Sequence, residues 1–190
     1  MARAKLFVAL LGEWNARHNL VSARSFAEIW RRHMWDSAQL AEFIPADAKS
    51  LIDLGSGAGF PGLVLALLLR GRIGFRTVLA EATRKKCEFL ILAAARLELD
   101  VEIRNLRIED AARESFDVVT ARACAPLPRL LCYAQAFQGA KTLNLFLKGQ
   151  SVADELTEAH KSWRIKLREE PSRSDPSGTI LAIEDLRHAS

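Results

Sequence analysis

Cysteine is scarce in this sequence. Cys87, Cys124 and Cys132 are the only three, an odd number with no metal-ligand spacing. That leaves no fully paired disulfide framework and no zinc-type site, and it fits a reducing cytosol. Long apolar runs are missing too. The longest, Leu63 to Leu69, is far shorter than the roughly 20 residues a membrane-spanning helix needs. Arg3 and Lys5 precede the apolar stretch Leu6 to Leu11, a faint echo of a signal peptide. Glu13-Trp14-Asn15-Ala16-Arg17 follows instead of a small-residue cleavage site, so export is not expected. No internal repeat or low-complexity tract is present. No Ser-His-Asp or paired-carboxylate constellation stands out, and Tyr133 is the only tyrosine.

What is present describes an ordinary globular chain. Hydrophobic residues make up 49% of the 190 positions and charged residues 26%, enough for one compact domain with a sizeable core. The formal charge of +4 is mildly basic. The basic residues gather at Arg31-Arg32-His33, Arg84-Lys85-Lys86, Arg122 with Arg129, and Lys161 to Arg168. Such clusters are either solvated faces or surfaces that meet phosphates.

Residues 1–46 read as helical. Ser25 and Glu28 form a Ser-x-x-Glu capping box, Phe26, Ile29, Trp30, His33, Ser37, Leu40, Ala41 and Ile44 recur with helical period, and Pro45 ends the element. From residue 47 to 190 the pattern alternates. Strands are expected at Leu51 to Leu54, Phe75 to Ala80, Val101 to Ile103, Phe116 to Ala121 and Leu143 to Leu147. Helices are expected after Pro61, after Thr83, and over 128–138 and 151–161. Turn signals from Pro171 to Gly178 precede Thr179 to Ile183, which reads as a closing hairpin. Strands separated by helices imply a mostly parallel sheet covered on both faces, a doubly wound α/β domain with a helical N-terminal cap.

The densest chemical signal is Asp53-Leu-Gly55-Ser-Gly57-Ala-Gly59-Phe60-Pro61-Gly62. A glycine-rich strand-to-helix turn lets backbone amides approach a ligand closely. Two readings fit. Gly57-x-Gly59-x-x-Gly62 matches the dinucleotide fingerprint, with Glu81 near the expected ribose-binding distance. Asp53 followed by Gly55-x-Gly57-x-Gly59 matches the first motif of Rossmann-like methyltransferases. An acidic residue at the strand end suits the cationic amino and sulfonium groups of S-adenosylmethionine and would repel a pyrophosphate, so the methyltransferase reading is preferred. Glu81 would accept from the ribose hydroxyls, and Ile108-Glu109 follows the third strand, where an adenine edge would lie.

Joined to other segments, these residues resemble the glucose-inhibited division protein B family. Trp14-Asn15-x-x-x-Asn19-Leu20-Val21-Ser22 and Arg32-His33-x-x-Asp36-Ser37 are similar to that family's first two motifs. The glycine loop with its Phe60-Pro61-Gly62 ending, Thr120-Ala121-Arg122-Ala123 with Pro126-Leu127, and Leu147-Lys148-Gly149 are similar to three more. The resemblance runs from about residue 5 to the C-terminus. It implies a class I, S-adenosylmethionine-dependent methyltransferase fold and transfer of a methyl group to guanine N7 in 16S ribosomal RNA, free or within the small ribosomal subunit. It also implies cofactor contacts at Gly55, Phe60, Ile108, Glu109 and Arg122, with Glu81 at the ribose, in a monomeric bacterial cytoplasmic enzyme. The chain departs from the pattern in beginning late, so a less complete N-terminal cap is expected.

Guanine N7 carries a lone pair and no proton, so the chemistry asks for no general base. No catalytic residue is assigned; Arg122, His33 and Asp36 are candidates. Arg122 follows a buried strand at the sheet's carboxyl edge, where open α/β folds bind ligands. His33 and Asp36 share a helix face, either as a core histidine orienting a carboxylate or as part of the active-site mouth. Arg84, Lys85 and Lys86 occupy a helix's first turn, where the dipole disfavours cations; a phosphate-facing surface explains them better. Arg31, Arg32, Arg129 and Lys148 join them as candidate RNA contacts. A nucleophilic role for Cys124 or Cys132 is disfavoured by context. The rivals are a small-molecule or protein methyltransferase, a nicotinamide oxidoreductase, and a non-enzymatic RNA-binding protein.

Overall fold

The computed structural model describes residues 1–189. The chain opens with helix α1, Ala2–His18, which buries Phe7, Leu10 and Leu11 and ends at Asn19 in the left-handed conformation, φ 48°. A short helix α2, Ala23–Ala27, follows. Its cap is Ser22, whose hydroxyl accepts from Ser25 N–H at 3.1 Å. The expected Ser25–Glu28 capping box does not form. Ser25 Oγ turns to the His33 ring and Glu28 pairs with Arg31.

Nor is there one long helix up to Pro45. A π-helical turn, Trp30–Trp35, leads into a single turn α3, Asp36–Ala38, and a 3-10 turn, Gln39–Phe43. Widened turns of this kind concentrate at functional sites. Here the turn carries His33, and Asp36 follows at once, so both reach the same distant arginine, Arg122.

Strands β1 (Ser50–Leu54), β2 (Arg76–Glu81), β3 (Glu102–Asn105), β4 (Val118–Arg122) and β5 (Leu143–Lys148) are parallel. Strands β6 (Trp163–Pro171) and β7 (Thr179–His188) form an antiparallel hairpin, and β7 joins the edge of β5. The order is β3-β2-β1-β4-β5-β7-β6. Helices α4 (Gly62–Leu69) and α5 (Arg84–Leu97) cover one face, and α6 (Leu127–Ala134) and α7 (Val152–Ala159) the other. The alternation in the sequence therefore translates into the doubly wound sheet, and the expected boundaries hold to within a few residues.

The first arm of the hairpin begins earlier than the turn signals suggest. The basic stretch Lys161 to Arg168 falls largely within β6, where exposed Arg164, Lys166 and Arg168 alternate with Trp163, Ile165 and Leu167. Outward charges on an edge strand guard it against pairing with another chain.

Phe7, Leu10 and Leu11 of α1 share a core cluster with Phe60, Leu63, Leu79, Phe89 and Leu90, and the N-terminal helix packs on α4 and α5. No helix among the described residues is long and apolar enough to cross a membrane.

Candidate functional site

The strand order reverses between β1 and β4, each leading to its own crossover side. Crevices at the carboxyl ends of such strands are where open α/β sheets bind ligands. The glycine turn leaves β1 there. Gly55 has φ +69°, and a Cβ on it would stand 2.7 Å from Cys124 Sγ, so no larger residue fits. Gly55 and Ser56 donate to Ala80 O at 2.9 and 3.0 Å, which staples the turn to β2. Gly59 N–H closes it on Ser56 O at 2.8 Å.

Asp53 does not face the crevice, contrary to expectation. It is completely buried; Oδ2 accepts from Gly62 N–H at 3.0 Å and Oδ1 from Thr120 Oγ1 at 2.9 Å. Burial pushes its carboxyl up to about 6 against the pull of these bonds. Asp53 thus shapes the turn from beneath and offers no oxygen to a ligand. Glu81, at the end of β2, stands at the turn itself: Oε2 accepts from Gly57 N–H at 2.9 Å and Oε1 from Thr83 N–H at 2.7 Å. The Phe60 ring is consumed by packing, with its centroid 5.2 Å from Phe7 and 4.8 Å from His33.

Arg122 ends β4 and gathers the second half of the site. It donates to Arg32 O at 2.8 Å and to His33 Nδ1, meets Asp36 Oδ2 at 3.4 Å, and lies over the Phe60 ring at 5.3 Å. Burial, then the neighbouring Arg122 and Arg32, lower the His33 imidazole to about 3. The ring is therefore neutral, its Nδ1 accepting from Arg122, which leaves the proton on Nε2 for the Ser25 hydroxyl. His33 is packed and bonded to Ser25 and Arg122 and not to Asp36, and it lines a cavity of about 460 Å³ shared with Ser25, Arg32, Asp36, Arg122 and Asp175.

The other expected residues divide. Ile108 and Glu109 lie on a 3-10 turn, Ile108–Asp110, after β3. Glu109 Oε1 accepts from Tyr133 Oη at 2.7 Å and from Arg129 at 3.0 Å, and with these bonds its carboxyl drops to about 2. Arg129, expected on RNA, is thereby tied to an expected cofactor residue. Lys148 is a correction. Its side chain is 8% exposed, with Nζ 2.5 Å from Glu155 Oε2 and donating to Ala125 O at 3.0 Å, so its charge is already matched inside the protein and it does not face phosphates. Arg84 is 87% exposed with Glu88 at 3.2 Å; Lys85 is exposed and Lys86 half-buried. Arg31 pairs with Glu28 and reaches Ser174 O at 3.0 Å, while the Arg32 guanidinium is exposed.

Gln39, Ser172, Ser174 and Asp175 escaped the sequence reading. Gln39 Nε2 donates to Ser172 Oγ at 3.0 Å and Ser174 Oγ donates to Asp36 Oδ1 at 2.6 Å, tying the β6–β7 turn to the N-terminal helices. Gln39 and Ser172, like Ser174 and Asp36, lie more than 130 positions apart, so no local spacing could reveal these pairs.

The turn is poorly suited to a pyrophosphate: from Asp53 to Gly62 it contains no basic side chain, and the N–H groups of Gly55, Ser56, Gly57, Gly59 and Gly62 are all taken up within the protein, with the Glu81 carboxylate beside them. Cys124, beside Gly55, is raised by burial to about 11, which leaves it a protonated thiol. No cluster of three or more His, Cys, Asp or Glu able to hold a metal ion occurs among the described residues.

The sequence is similar to known proteins along nearly its whole length. A family profile described as rRNA small subunit methyltransferase G (GidB) matches residues 1–174. Proteins called ribosomal RNA small subunit methyltransferase G are 48% identical in Parvibaculum lavamentivorans, over 95% of this chain and 80% of that one, and 46% identical in Rhodospirillum rubrum, over 98% and 91%. Among solved structures, ribosomal protein L11 methylase from Lactobacillus delbrueckii superimposes with TM-score 0.62 at 17% identity, over 78% of this chain and 76% of that one. An S-adenosylmethionine-dependent methyltransferase from Aquifex aeolicus does so with TM-score 0.62 at 11% identity, over 82% and 92%. These two likenesses extend to the fold.

Proposed function

The chain belongs to the rRNA small subunit methyltransferase G family, and from that premise we propose that it moves a methyl group from S-adenosylmethionine to N7 of a guanine in 16S ribosomal RNA by direct in-line displacement. The observation that carries this reading is the cavity at Arg122, at the carboxyl end of β4 and next to β1, whose glycine turn Glu81 holds.

When bound, S-adenosylmethionine supplies a methyl carbon on a sulfonium, which a lone pair can displace. The residues that would hold it are the backbone of Gly55, Gly57, Gly59 and Phe60, the Glu81 carboxylate at the ribose, Ile108 and Glu109 at the base, and Arg122. The segment 1–46 supplies one wall of the acceptor cavity through Ser25, Arg32, His33 and Asp36; residues 47–190 supply the sheet and its crevice.

No residue is asked to remove a proton. The His33 imidazole, at about 3, has both nitrogens engaged, and the Cys124 thiol, at about 11, is no nucleophile at neutral pH. Asp53 titrates near 6 but is sealed beneath the glycine turn. The chain's contribution is alignment in a partly desolvated cavity. Asp36, lining that cavity, offsets the positive charge the base acquires. Arg31, Arg84, Lys85 and Lys86 are the groups left to meet phosphates.

The test is transfer of labelled methyl from S-adenosylmethionine to small ribosomal subunits from cells lacking this enzyme, with the modified base mapped. A single N7-methylguanine is expected. Labelling of another base, or none in any ribosomal particle, would overturn the reading.

A further inference from the structure

Ionised side chains lining the 460 Å³ cavity are mostly matched to one another. Arg122 meets Asp36 at 3.4 Å and Lys148 meets Glu155 at 2.5 Å. His33 is neutral between Arg122 and Ser25. Two groups are left over. Arg32 lends only its carbonyl, to Arg122 at 2.8 Å, and its guanidinium has no hydrogen-bond or ion-pair partner among the described residues. Asp175 uses Oδ1 for both bonds from Ser177, the N–H at 2.9 Å and the hydroxyl at 2.8 Å. Its Oδ2 has no partner among the described residues and is not sealed from solvent.

The two groups come from opposite walls. Arg32 sits on the π-helical turn and Asp175 in the β6–β7 turn. Those walls are bolted together by Ser174 Oγ on Asp36 at 2.6 Å, Gln39 on Ser172 at 3.0 Å and Arg31 on Ser174 O at 3.0 Å. The cavity therefore presents one donor and one acceptor that make no hydrogen bond or ion pair with each other or with another of the described residues. A ligand that satisfies both groups is favoured over one that sets like against like.

Guanine carries the complementary sequence of groups along one edge: the O6 acceptor, then the N1–H and N2–H2 donors. Adenine inverts it, setting an amino group where O6 stood and a lone pair at N1. We propose that Arg32 and Asp175 select guanine by reading this edge, Arg32 donating to O6 and Asp175 Oδ2 accepting from N1–H and N2–H2. N7 lies on the far side of O6 and remains free to react. Adenine would bring its amino hydrogens to the Arg32 cation and its N1 lone pair to the carboxylate, like against like. The inference rests on the guanine methylation proposed above.

The test compares small subunits reconstituted with guanine or inosine at the mapped position; inosine keeps O6 and N1–H and lacks the 2-amino group. The wild-type protein is expected to lose about 10-fold in kcat/KM on inosine, the worth of a hydrogen bond to a charged group. Asp175→Asn turns an amide N–H2 toward the base. It should lower kcat/KM on guanine by about 10- to 100-fold and abolish the inosine penalty, with the melting temperature and calorimetric affinity for S-adenosylmethionine unchanged. Asp175→Ala carries the same comparison if the first variant does not fold. Arg32→Gln, which touches an atom both bases share, should slow both and keep the penalty. An inosine penalty that is absent in the wild type, or survives in both Asp175 variants, overturns the assignment. No transfer by the wild-type protein to guanine-bearing subunits overturns instead the reading on which it rests.

Discussion

Asp53 and Gly62 are built around one another. Asp53 Oδ2 accepts the Gly62 N–H at 3.0 Å, and a Cβ on Gly62 would stand 2.7 Å from that same oxygen and 2.3 Å from Leu79 Cδ2. The first turn of α4 is thereby drawn down onto β1 and β2, and the glycine turn between them is held open.

Gly62→Ala should push α4 off the sheet. Neither Leu79 nor Asp53, both completely buried, has room to retreat. Overpacking of this kind costs about 1–3 kcal/mol, readable by chemical denaturation, and calorimetry should show weakened S-adenosylmethionine binding as the turn shifts. Unchanged stability would mean that the helix adjusts freely.

Two buried groups give opposite pH slopes. Asp53, raised from an ordinary 3.8 to about 6, makes a contribution that is full below about 4 and is lost as pH rises through 6, because the folded state keeps a proton that the unfolded chain releases. His33, lowered from 6.5 to about 3, makes one that is full above 6.5 and is lost as pH falls toward 3. Denaturation curves between pH 4 and 7 should show Asp53→Asn gaining relative to the wild type as pH rises. His33→Gln should gain relative to the wild type as pH falls. Parallel curves for either variant would remove that group from the pH dependence.

Arg122→Lys is not a conservative change. The guanidinium serves Arg32 O, His33 and Asp36 at once and covers Phe60, which a single ammonium cannot do. Arg122→Ala leaves the half-buried Asp36 without its cation, at a cost below the about 3–5 kcal/mol of breaking a fully buried pair. Lys at this position should recover part of the stability and little of the methyl transfer, as read by melting and single-turnover assays side by side.

Cys124→Ala should keep its methyl-transfer activity. The thiol, near 11, is protonated at neutral pH, and its observed role is to pack against Gly55. A variant that binds S-adenosylmethionine normally yet is dead would reopen covalent catalysis.

Arg84→Glu combined with Lys85→Glu should weaken binding to ribosomal RNA and flatten its salt dependence. Each lost phosphate contact removes roughly one unit of slope in log affinity against log salt. Arg84 is 87% exposed on the first turn of α5, so folding should be untouched. An unaltered slope would assign these charges to solvent.

The local pattern was sufficient for the fold and for the crevice. Apolar strands of four to six residues between amphipathic helices leave a parallel sheet as the way to bury both sides, and Gly55 to Gly62 after β1 mark the ligand end, because period and backbone freedom are properties of neighbouring residues. Charge was another matter. Asp53 and Lys148 looked available in the sequence, and the tertiary structure buried both, one beneath the turn and the other against Glu155. The expected helix through Ser25 and Glu28 broke into a π-helical turn, because His33 is held between Ser25 and Arg122. The cavity's far wall, at Ser172, Ser174 and Asp175, is held by bonds to Gln39 and Asp36, more than 130 positions earlier in the chain. Which charges meet a ligand and which meet each other depends on distances of a few ångströms between remote segments, and only the folded chain sets those.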